Sequence, residues 1–445
     1  MSVALALEPA QGPRLSAPLA LPCGVTLPNR IAKSALSEQL ADTHNRPTEE
    51  LIRLYERWAA GGTGLLITGN VMVNEALEEP RNVVIQDDSD LALLTRWATV
   101  AQAQGSHCWV QISHPGRQTI RTLSGSPVAP SAVRMKFGRG VLYAKPRALK
   151  DEEIESLIAA FARTASICKQ AGFKGIQLHA AHGYLVSAFL SPMTNQRTDR
   201  WGGSFEGRVR FLVEILRATR RAVGPDYPIG VKLNSADFQR GGFTEEESLE
   251  TLRVLEREGV DLVEISGGSY ENTVMMGSDV AVRESTKARE AYFLAYAEKA
   301  RAVSKVPLLL TGGFRPLAGM QAALDDRAVD MVGLGRPLCV EPDLSKRLLD
   351  GTAAPVSIPP KKVGVREFDA VLEVFWYTQQ LHRMAKGKAP DLSRGRWWPL
   401  MVALGMIFWG SVRVKLRRKR RAPQASTAFS ALASERRPAS VPIES

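Results

Sequence analysis

Cysteine is scarce in this sequence, with four residues among 445. The four lie far apart and form no CxxC pair, at positions Cys23, Cys108, Cys168 and Cys339. This spacing argues against disulfides and against a metal site, because both need thiols that the fold can bring together. A single cysteine beyond residue 168 also excludes a four-cysteine iron–sulfur cluster in that part of the chain. We therefore expect buried, reduced thiols.

Two signals of other protein classes are also missing. No G-x-G-x-x-G sequence follows an apolar strand pattern, which argues against a separate Rossmann domain for a nicotinamide nucleotide. The first eight residues lack a basic region and end on Glu8, so no secretory signal is predicted. The net charge of +12 comes largely from residues 411–445, which hold nine Lys/Arg against two Asp/Glu. Because the basic residues are concentrated in a tail, we predict a cytoplasmic protein without a nucleic-acid partner.

The chain does contain a regular alternation of apolar runs and helical patterns. Eight runs have the length of a strand: 30–35, 65–68, 108–112, 175–178, 229–233, 262–266, 308–311 and 331–333. Strand followed by helix, repeated, predicts right-handed crossovers and a parallel sheet. Eight is the strand number of a closed (β/α)8 TIM barrel, so we predict an α/β barrel with a C-terminal helical extension. An open doubly wound sheet is the alternative, since a strand count alone does not prove closure.

Two connections after predicted strands are too long to be plain turns. They span residues 113–150 and 267–287. Because both follow strands, we expect both to lie over the mouth of the barrel, where long loops act as lids. Decorative insertion is the alternative.

The composition changes after residue 354. We predict a barrel over residues 1–354, then a linker and an amphipathic helix within 355–396. The segment 397–421 joins sixteen uncharged residues to a basic cluster, which favours a peripheral or tail anchor at the cytoplasmic membrane surface. A helix packed on the barrel, or on a neighbouring subunit of a homo-oligomer, is the alternative. The tail 422–445 lacks periodicity and is predicted to be disordered.

Two imidazoles and a phenol follow the fourth apolar run. His179, His182 and Tyr184 come directly after the predicted strand 175–178. The carboxyl ends of strands are where α/β enzymes place their chemistry. These three side chains are therefore the first candidates for a catalytic site.

Four segments carry a resemblance to a known family. They are the stretch from His179 to Phe211, Leu27-Pro-Asn-Arg-Ile31, Gln111-Ile-Ser-His-Pro-Gly-Arg117 and Gly333-Leu-Gly-Arg336. Together they resemble the Old Yellow Enzyme family of FMN-dependent ene-reductases, and the match covers about residues 20–350. The resemblance implies a TIM barrel that binds FMN non-covalently across its mouth and takes electrons from NAD(P)H. It further implies reduction of the C=C bond of a small α,β-unsaturated carbonyl compound.

The resemblance assigns roles to the three candidates. His179 and His182 would donate hydrogen bonds to the substrate carbonyl, whose oxygen becomes negative when hydride reaches the β-carbon. Tyr184 would protonate the α-carbon, since a phenol stays protonated at neutral pH yet can donate to a strongly basic carbon. The structural alternatives are imidazoles bonded to the backbone and a core tyrosine satisfied by one hydrogen bond.

The resemblance also implies flavin contacts at several strand ends. Gln111 can both donate and accept at the pyrimidine edge. The segment that contains Ser34, Ala35 and Ser37 ends the first strand, where the family contacts the flavin near O4. Ala35 replaces the family's proline. Asn70 follows the second strand at a place usually held by a small residue, so its amide would also face O4. For Ser37, a solvated turn serine is the alternative.

Charged and glycine residues complete the implied flavin site. Lys232 lies within an apolar strand, where a lone charge is costly unless an anion is near. The resemblance places it at the N1–C2=O edge of the reduced flavin, with lysine in place of the more frequent arginine. The phosphate would lie after the last two strands, against backbone N–H groups and a guanidinium: Gly312, Gly313, Gly335 and Arg336.

Two other functions remain compatible with the sequence. A related flavin dehydrogenase or demethylase, acting on amines or on enoyl- or dienoyl-CoA thioesters, would have the same barrel. A membrane-tethered flavoprotein that serves as a redox or docking module is suggested by the apolar and basic tail.

Overall fold

The computed structural model describes residues 14–135, 142–268, 284–311, 317–354 and 366–395, and the single residues 397, 398, 401, 405, 408 and 412. Its strands are β1 (Leu19–Ala20), β2 (Thr26–Leu27), β3 (Ile31–Lys33), β4 (Leu65–Ile67), β5 (Val71–Met72), β6 (His107–Ser113), β7 (Val128–Ala129), β8 (Arg147–Ala148), β9 (Gly175–Ala180), β10 (Ile229–Asn234), β11 (Leu262–Ser266), β12 (Leu308–Thr311) and β13 (Met331–Leu334). Its α-helices are α1 (Glu49–Ala60), α2 (Leu91–Gln102), α3 (Asp151–Gln170), α4 (Leu185–Leu190), α5 (Phe205–Val223), α6 (Glu245–Arg257), α7 (Glu284–Val303), α8 (Leu317–Asp325), α9 (Leu344–Leu349) and α10 (Arg366–Ala385). Short 3₁₀ helices cover Gly116–Gln118 and Arg336–Cys339.

Eight of these strands close into one parallel barrel. Their order around the barrel is β3, β4, β6, β9, β10, β11, β12 and β13. The pairings of β4 with β6 and of β13 with β3 close the ring. This confirms the predicted (β/α)8 TIM barrel and excludes the open doubly wound sheet, because a ring has no edge strands. Each predicted apolar run matches one barrel strand to within two residues at either end.

Alternate residues of the barrel strands face the interior and fill it in layers. The layer nearest the amino ends of the strands is apolar and contains Trp109, which is fully buried. Gly175 and Gly230 leave room for the indole, since a Cβ at Gly175 would lie 2.5 Å from Trp109 Nε1. Leu27, from the antiparallel β1–β2 pair, belongs to the same apolar cluster. This end is therefore filled with side chains, and polar groups occupy the interior toward the carboxyl ends.

The helices begin at capping residues and cover the outside of the barrel. Thr48 Oγ1 accepts from Leu51 N at 3.2 Å at the start of α1. Thr244 and Glu247 form a capping box at the start of α6, which satisfies two backbone N–H groups. The apolar faces of the helices pack on outward strand residues in one large core. Burial of this surface is the main force that holds helices to barrel.

The C-terminal extension packs on the barrel through α10, which agrees with the predicted C-terminal helical extension. Arg53 Nη1 of α1 donates to Ala385 O at 2.8 Å, and His382 Nε2 lies 2.9 Å from Glu38 O. The predicted linker at 355–365 and, apart from single helical residues, the segments 397–421 and 422–445 lie outside the described residues. Among the described helices, none combines the length and the apolar character that crossing a bilayer requires.

Two further predictions concern the cysteines and the long connections. All four cysteines are free and three of them are buried, as predicted. The connection 113–150 contains the parallel pair β7–β8, whereas most of the connection 267–287 lies outside the described ranges.

Candidate active site

The carboxyl end of β9 brings the three predicted catalytic side chains together. The ring centroids of His179 and His182 are 5.1 Å apart, and those of His179 and Tyr184 are 4.7 Å apart. Their residues are 4%, 9% and 4% exposed in chain order. His182 and Gly183 adopt positive φ angles of 63° and 79°, which turn the chain back on itself. This turn is what places the phenol beside the first imidazole.

Protein contacts fix which imidazole nitrogen can donate to a ligand. His179 Nδ1 accepts from the backbone N–H of Ala181 at 3.3 Å, so the proton of the neutral ring is on Nε2. His182 Nε2 lies 2.7 Å from Ser266 Oγ. When this hydroxyl donates, Nδ1 of His182 carries the proton. Each ring then keeps one N–H for a ligand.

Both imidazoles are neutral at pH 7. Burial lowers the pKa of His179 well below its usual value, and the charge of Lys232 lowers it further. The pKa of His182 falls for the same two reasons and through its neighbour His179. A neutral imidazole can donate a hydrogen bond without bringing a charge into the barrel.

The buried histidines predict that stability falls in mild acid. Burial also lowers the pKa of His107, His114 and His382 to about 4. Below about pH 6.5 the unfolded chain binds protons on these side chains that the folded protein does not bind. The free energy of unfolding therefore decreases as pH falls, by roughly 1.4 kcal/mol per pH unit for a fully buried imidazole such as His114 and by less for the partly exposed His107 and His382. Urea unfolding of the holoenzyme at two pH values, about 7 and about 5.5, measures this slope.

Two variants separate this effect from other titrations. Replacing His114 with glutamine removes one buried imidazole and should reduce the slope by about one histidine's share. The same replacement at the exposed His44 is the matched surface control, because it removes no buried group. Equal slopes for the wild type and the His114→Gln variant would contradict the assignment of a neutral buried imidazole.

A continuous layer of polar side chains fills the barrel interior between the imidazoles and the apolar layer at the amino ends of the strands. Lys232 Nζ lies 2.8 Å from Glu264 Oε1, which also accepts from Thr311 Oγ1 at 2.7 Å. Gln177 Nε2 donates to the other oxygen of Glu264 at 2.8 Å, and Ser34 Oγ lies 2.6 Å from Thr311 Oγ1. Burial opposes ionisation of Glu264, but Lys232 and these donors hold the pKa of its carboxyl below the usual value. The layer thus contains a buried ion pair in which the carboxylate is satisfied at both oxygens.

Lys232 is therefore not the lone charge that the sequence analysis expected. Its counter-charge is Glu264, because Lys232 and Glu264 stand in register on the neighbouring strands β10 and β11 and both face inward. The counter-charge Glu264 was not predicted from the sequence. A charge within the apolar run 262–266 was the signal that could have found it. Contact of Lys232 with the flavin stays a prediction.

Gln111 is suited to a flavin edge. Its Nε2 donates to Gln177 Oε1 at 2.7 Å. Its carbonyl oxygen accepts from no side chain among the described residues and can take an N–H donor such as flavin N3–H. With the Lys232 ammonium and the Arg336 guanidinium, the donor set fits a ring with a polar edge and an anionic phosphate.

A second chain of hydrogen bonds joins Ser37, Asn70 and Tyr184 through a residue that the sequence analysis missed. Tyr184 donates its hydroxyl proton to Glu78 Oε1, and Asn70 Nδ2 donates to Glu78 Oε2. Ser37 Oγ donates to Asn70 Oδ1 at 3.4 Å. The Asn70 amide is thus held by protein groups at both ends, and its contact with flavin O4 stays a prediction. No local signal marks Glu78, which is 106 residues from Tyr184 in the chain.

Two of the four predicted phosphate-binding residues, Gly335 and Arg336, follow β13. Gly335 precedes the 3₁₀ helix that Arg336 begins. Arg336 Nη1 forms an ion pair with Glu373 of α10 at 2.8 Å, and its side chain is 39% exposed. Ala35 is partly buried after β3, near the same end of the barrel. Gly312 and Gly313 lie outside the described residues.

Comparison with known proteins agrees with this geometry. Residues 14–354 match the NADH:flavin oxidoreductase / NADH oxidase family. The NADH-dependent flavin oxidoreductase iliE of Hypocrea jecorina (strain QM6a) is 37% identical over 358 residues, which cover 75% of this chain and 88% of that protein.

Two solved structures share the fold. An old yellow enzyme homologue from Zymomonas mobilis superposes with a TM-score of 0.65 at 25% identity, covering 78% of this chain and 95% of that chain. The complex of 2-naphthoyl-CoA reductase with 2-naphthoyl-CoA gives a TM-score of 0.70 at 29% identity. That match covers 76% of this chain and 52% of the reductase, so this chain spans about half of it. The chain therefore belongs to the NADH:flavin oxidoreductase / NADH oxidase family, as an FMN-dependent oxidoreductase of the Old Yellow Enzyme type that uses NAD(P)H.

Proposed function

We propose that this oxidoreductase reduces the C=C bond of α,β-unsaturated carbonyl compounds. The observation that carries the proposal is the cluster at the carboxyl end of β9. The rings of His182 and Tyr184 lie 5.1 Å and 4.7 Å from the ring of His179. One carbonyl oxygen can accept from both imidazoles while the neighbouring carbon is within reach of the phenol.

The imidazoles stabilise the charge that develops in the reaction. The hydride for the β-carbon of the alkene would come from NAD(P)H by way of FMN when that cofactor is bound. As the carbonyl oxygen becomes negative, the Nε2–H of His179 and the Nδ1–H of His182 donate to it. Donors that are fixed before the reaction stabilise this oxyanion more than the ground-state carbonyl. Ser266 supports the arrangement because, when its hydroxyl donates to His182 Nε2, the ring keeps its proton on Nδ1 for the substrate.

Tyr184 completes the reduction by protonating the α-carbon. Its hydroxyl is buried, and the contact with Glu78 Oε1 fixes the position of the phenol oxygen; the O–H turns to the α-carbon when Glu78 is protonated and no longer accepts from it. The remaining assigned residues hold the flavin: Ser34, Ala35, Ser37, Asn70, Gln111, Lys232, Gly312, Gly313, Gly335 and Arg336. Of these, Gln111 and Lys232 belong to the polar layer directly below the imidazoles.

A two-step anaerobic spectrum tests the proposal. NADH or NADPH should bleach the flavin absorption of the purified holoenzyme, and 2-cyclohexenone should then restore it with formation of cyclohexanone. Bleaching without recovery, across a panel of enones, nitriles and aldehydes with an activated alkene, would contradict the proposal. Oxygen must be excluded, because it also reoxidises reduced flavins.

A CoA thioester is the second candidate substrate. Similarity to a reductase solved with 2-naphthoyl-CoA favours it. The thioester carbonyl would use the same pair of imidazoles, so the site chemistry does not separate the two substrates. Crotonyl-CoA in the same assay does: faster reoxidation by the thioester than by any simple enone would favour the CoA compound.

A further inference from the structure

A buried tyrosine that donates a proton in each turnover must regain one each time. Tyr184 is 4% exposed, so bulk water has little direct access to its hydroxyl. The hydroxyl instead contacts the carboxyl group of Glu78, which is itself 8% exposed. Glu78 lies on the connection between β5 and α2, outside the strand ends that the proposed chemistry uses.

We propose that Glu78 is the acid that returns a proton to Tyr184 after each reduction, an inference that rests on the proposed function. The O–H bond of Tyr184 breaks as a C–H bond forms at the α-carbon, which leaves a phenolate. The carboxyl O–H bond of Glu78 then breaks as the Tyr184 O–H bond forms again. The carboxylate left on Glu78 regains its proton from solvent, and the neighbouring charge of Glu79 favours this uptake because two adjacent buried carboxylates do not both ionise readily. No electrons are exchanged in these steps.

The carboxyl group is held in place for this transfer. Glu78 Oε2 accepts from Asn70 Nδ2, while Asn70 Oδ1 accepts from Ser37 Oγ and Asn82 Nδ2, each at 3.4 Å. Glu78 Oε1 is the oxygen that contacts the phenol. In the structure Tyr184 is the donor in this contact; once its proton has gone to the α-carbon, the same contact lets a protonated Glu78 donate to the phenolate oxygen without movement of either side chain.

A second carboxyl group, that of Glu79, lies next to Glu78 in the chain. Together the two carboxyl groups keep one proton, and they are called the carboxyl pair below. Burial, followed by the charge of Glu78, raises the pKa of Glu79 to about 8. Two adjacent carboxylates in a buried place do not both ionise readily, so the pair keeps one proton at neutral pH. Glu38, from the segment after β3, and Tyr143, from the connection between β6 and α3, also face this pair. Neither brings a positive charge that would favour loss of the proton.

The test compares two rates in the holoenzyme. The first is flavin reoxidation when prereduced enzyme meets 2-cyclohexenone in a stopped-flow instrument, a single turnover that begins with Tyr184 protonated. The second is steady-state turnover with NADH, which requires Tyr184 to regain its proton repeatedly. In the Glu78→Gln variant we expect a single-turnover rate within about twofold of wild type and a steady-state rate reduced at least roughly tenfold.

Further variants separate proton transfer from simple packing. Glu78→Asp keeps an acid and should recover part of the turnover, and acetic acid should partly rescue Glu78→Ala by entering the space left behind. Glu75→Gln is the matched control on the same connection, because Glu75 lines a surface cavity with His44 and Arg46. Its two rates should equal those of wild type.

The pH profile gives an independent readout. Steady-state turnover of wild type should fall as pH rises through about 8, where the carboxyl pair loses its stored proton. In Glu79→Gln this decline should move to lower pH, because Glu78 no longer has a charged neighbour. If the decline occurs at the same pH in this variant as in wild type, the result counts against proton return from Glu78 to Tyr184.

Three outcomes overturn parts of the account separately. Unchanged steady-state turnover in Glu78→Gln overturns the proposal that Glu78 returns a proton to Tyr184. Equal losses in the two rates also overturn it, because that pattern shows only that Glu78 positions Tyr184. Wild-type enzyme that no enone reoxidises overturns the proposed function instead.

Discussion

Replacing His179 and His182 together with alanine is expected to lower the rate of enone reduction by roughly three orders of magnitude while FMN stays bound. A single fixed donor to a developing oxyanion is commonly worth about 10²–10³ in kcat, and paired donors are not additive. The rings are buried and 5.1 Å apart, so their removal leaves a gap where the two donors stood. Single-turnover reoxidation of NADH-reduced enzyme by 2-cyclohexenone measures the loss.

A matched control is available at the other end of the barrel. His107 begins β6, at the amino end of the strand, and its pKa is also lowered by burial. The His107→Ala variant should keep the reoxidation rate within about twofold, because its ring lies away from the carboxyl ends where substrate binds. A double variant as active as this control would mean that other groups stabilise the oxyanion.

Replacing Glu264 with glutamine is expected to cost about 3–5 kcal/mol of stability, because it leaves the Lys232 ammonium without a counter-charge. The Glu264 side chain is fully buried and that of Lys232 is 6% exposed. The amide keeps the size of the carboxyl group, so the loss reflects charge rather than a cavity. Since the pKa of Glu264 is lowered on folding, its contribution is present above about pH 4.5 and is lost as pH falls below that value.

Urea unfolding at neutral pH measures this prediction, with a surface ion pair as the control. Glu250 pairs with Arg253 at 2.6 Å, and both side chains are at least 40% exposed. The same glutamate-to-glutamine change at Glu250 should cost less than about 1 kcal/mol. Adding Lys232→Met to Glu264→Gln removes the unpaired charge and should recover part of the loss. Equal losses at positions 264 and 250 would contradict a buried, structurally important pair.

The barrel was predictable from sequence because its signals are local. A strand that is covered on both faces gives a short apolar run, and a helix start such as Thr48 gives a capping residue. His179, His182 and Tyr184 stand within six residues of one another at the end of one such run, so their proximity in space follows from the chain itself.

The partners of the site residues were harder to predict because they come from distant parts of the chain. Glu264 reaches Lys232 through strand register, and Glu78 reaches Tyr184 across 106 residues. Two charges in neighbouring apolar strands are a usable signal, since inward positions alternate along each strand. Glu78 stands in an irregular connection without periodicity, and only the folded chain shows which carboxyl group meets the phenol.

The central claim is that the carboxyl end of β9 holds the substrate carbonyl. A crystal structure of the oxidised holoenzyme with 2-cyclohexenone tests it most directly. We predict that the carbonyl oxygen lies within hydrogen-bond distance of His179 Nε2 and His182 Nδ1, with the α-carbon facing the hydroxyl of Tyr184 and FMN at the carboxyl ends of the barrel strands. An enone whose carbonyl contacts neither imidazole, or a flavin bound away from these side chains, would contradict the account.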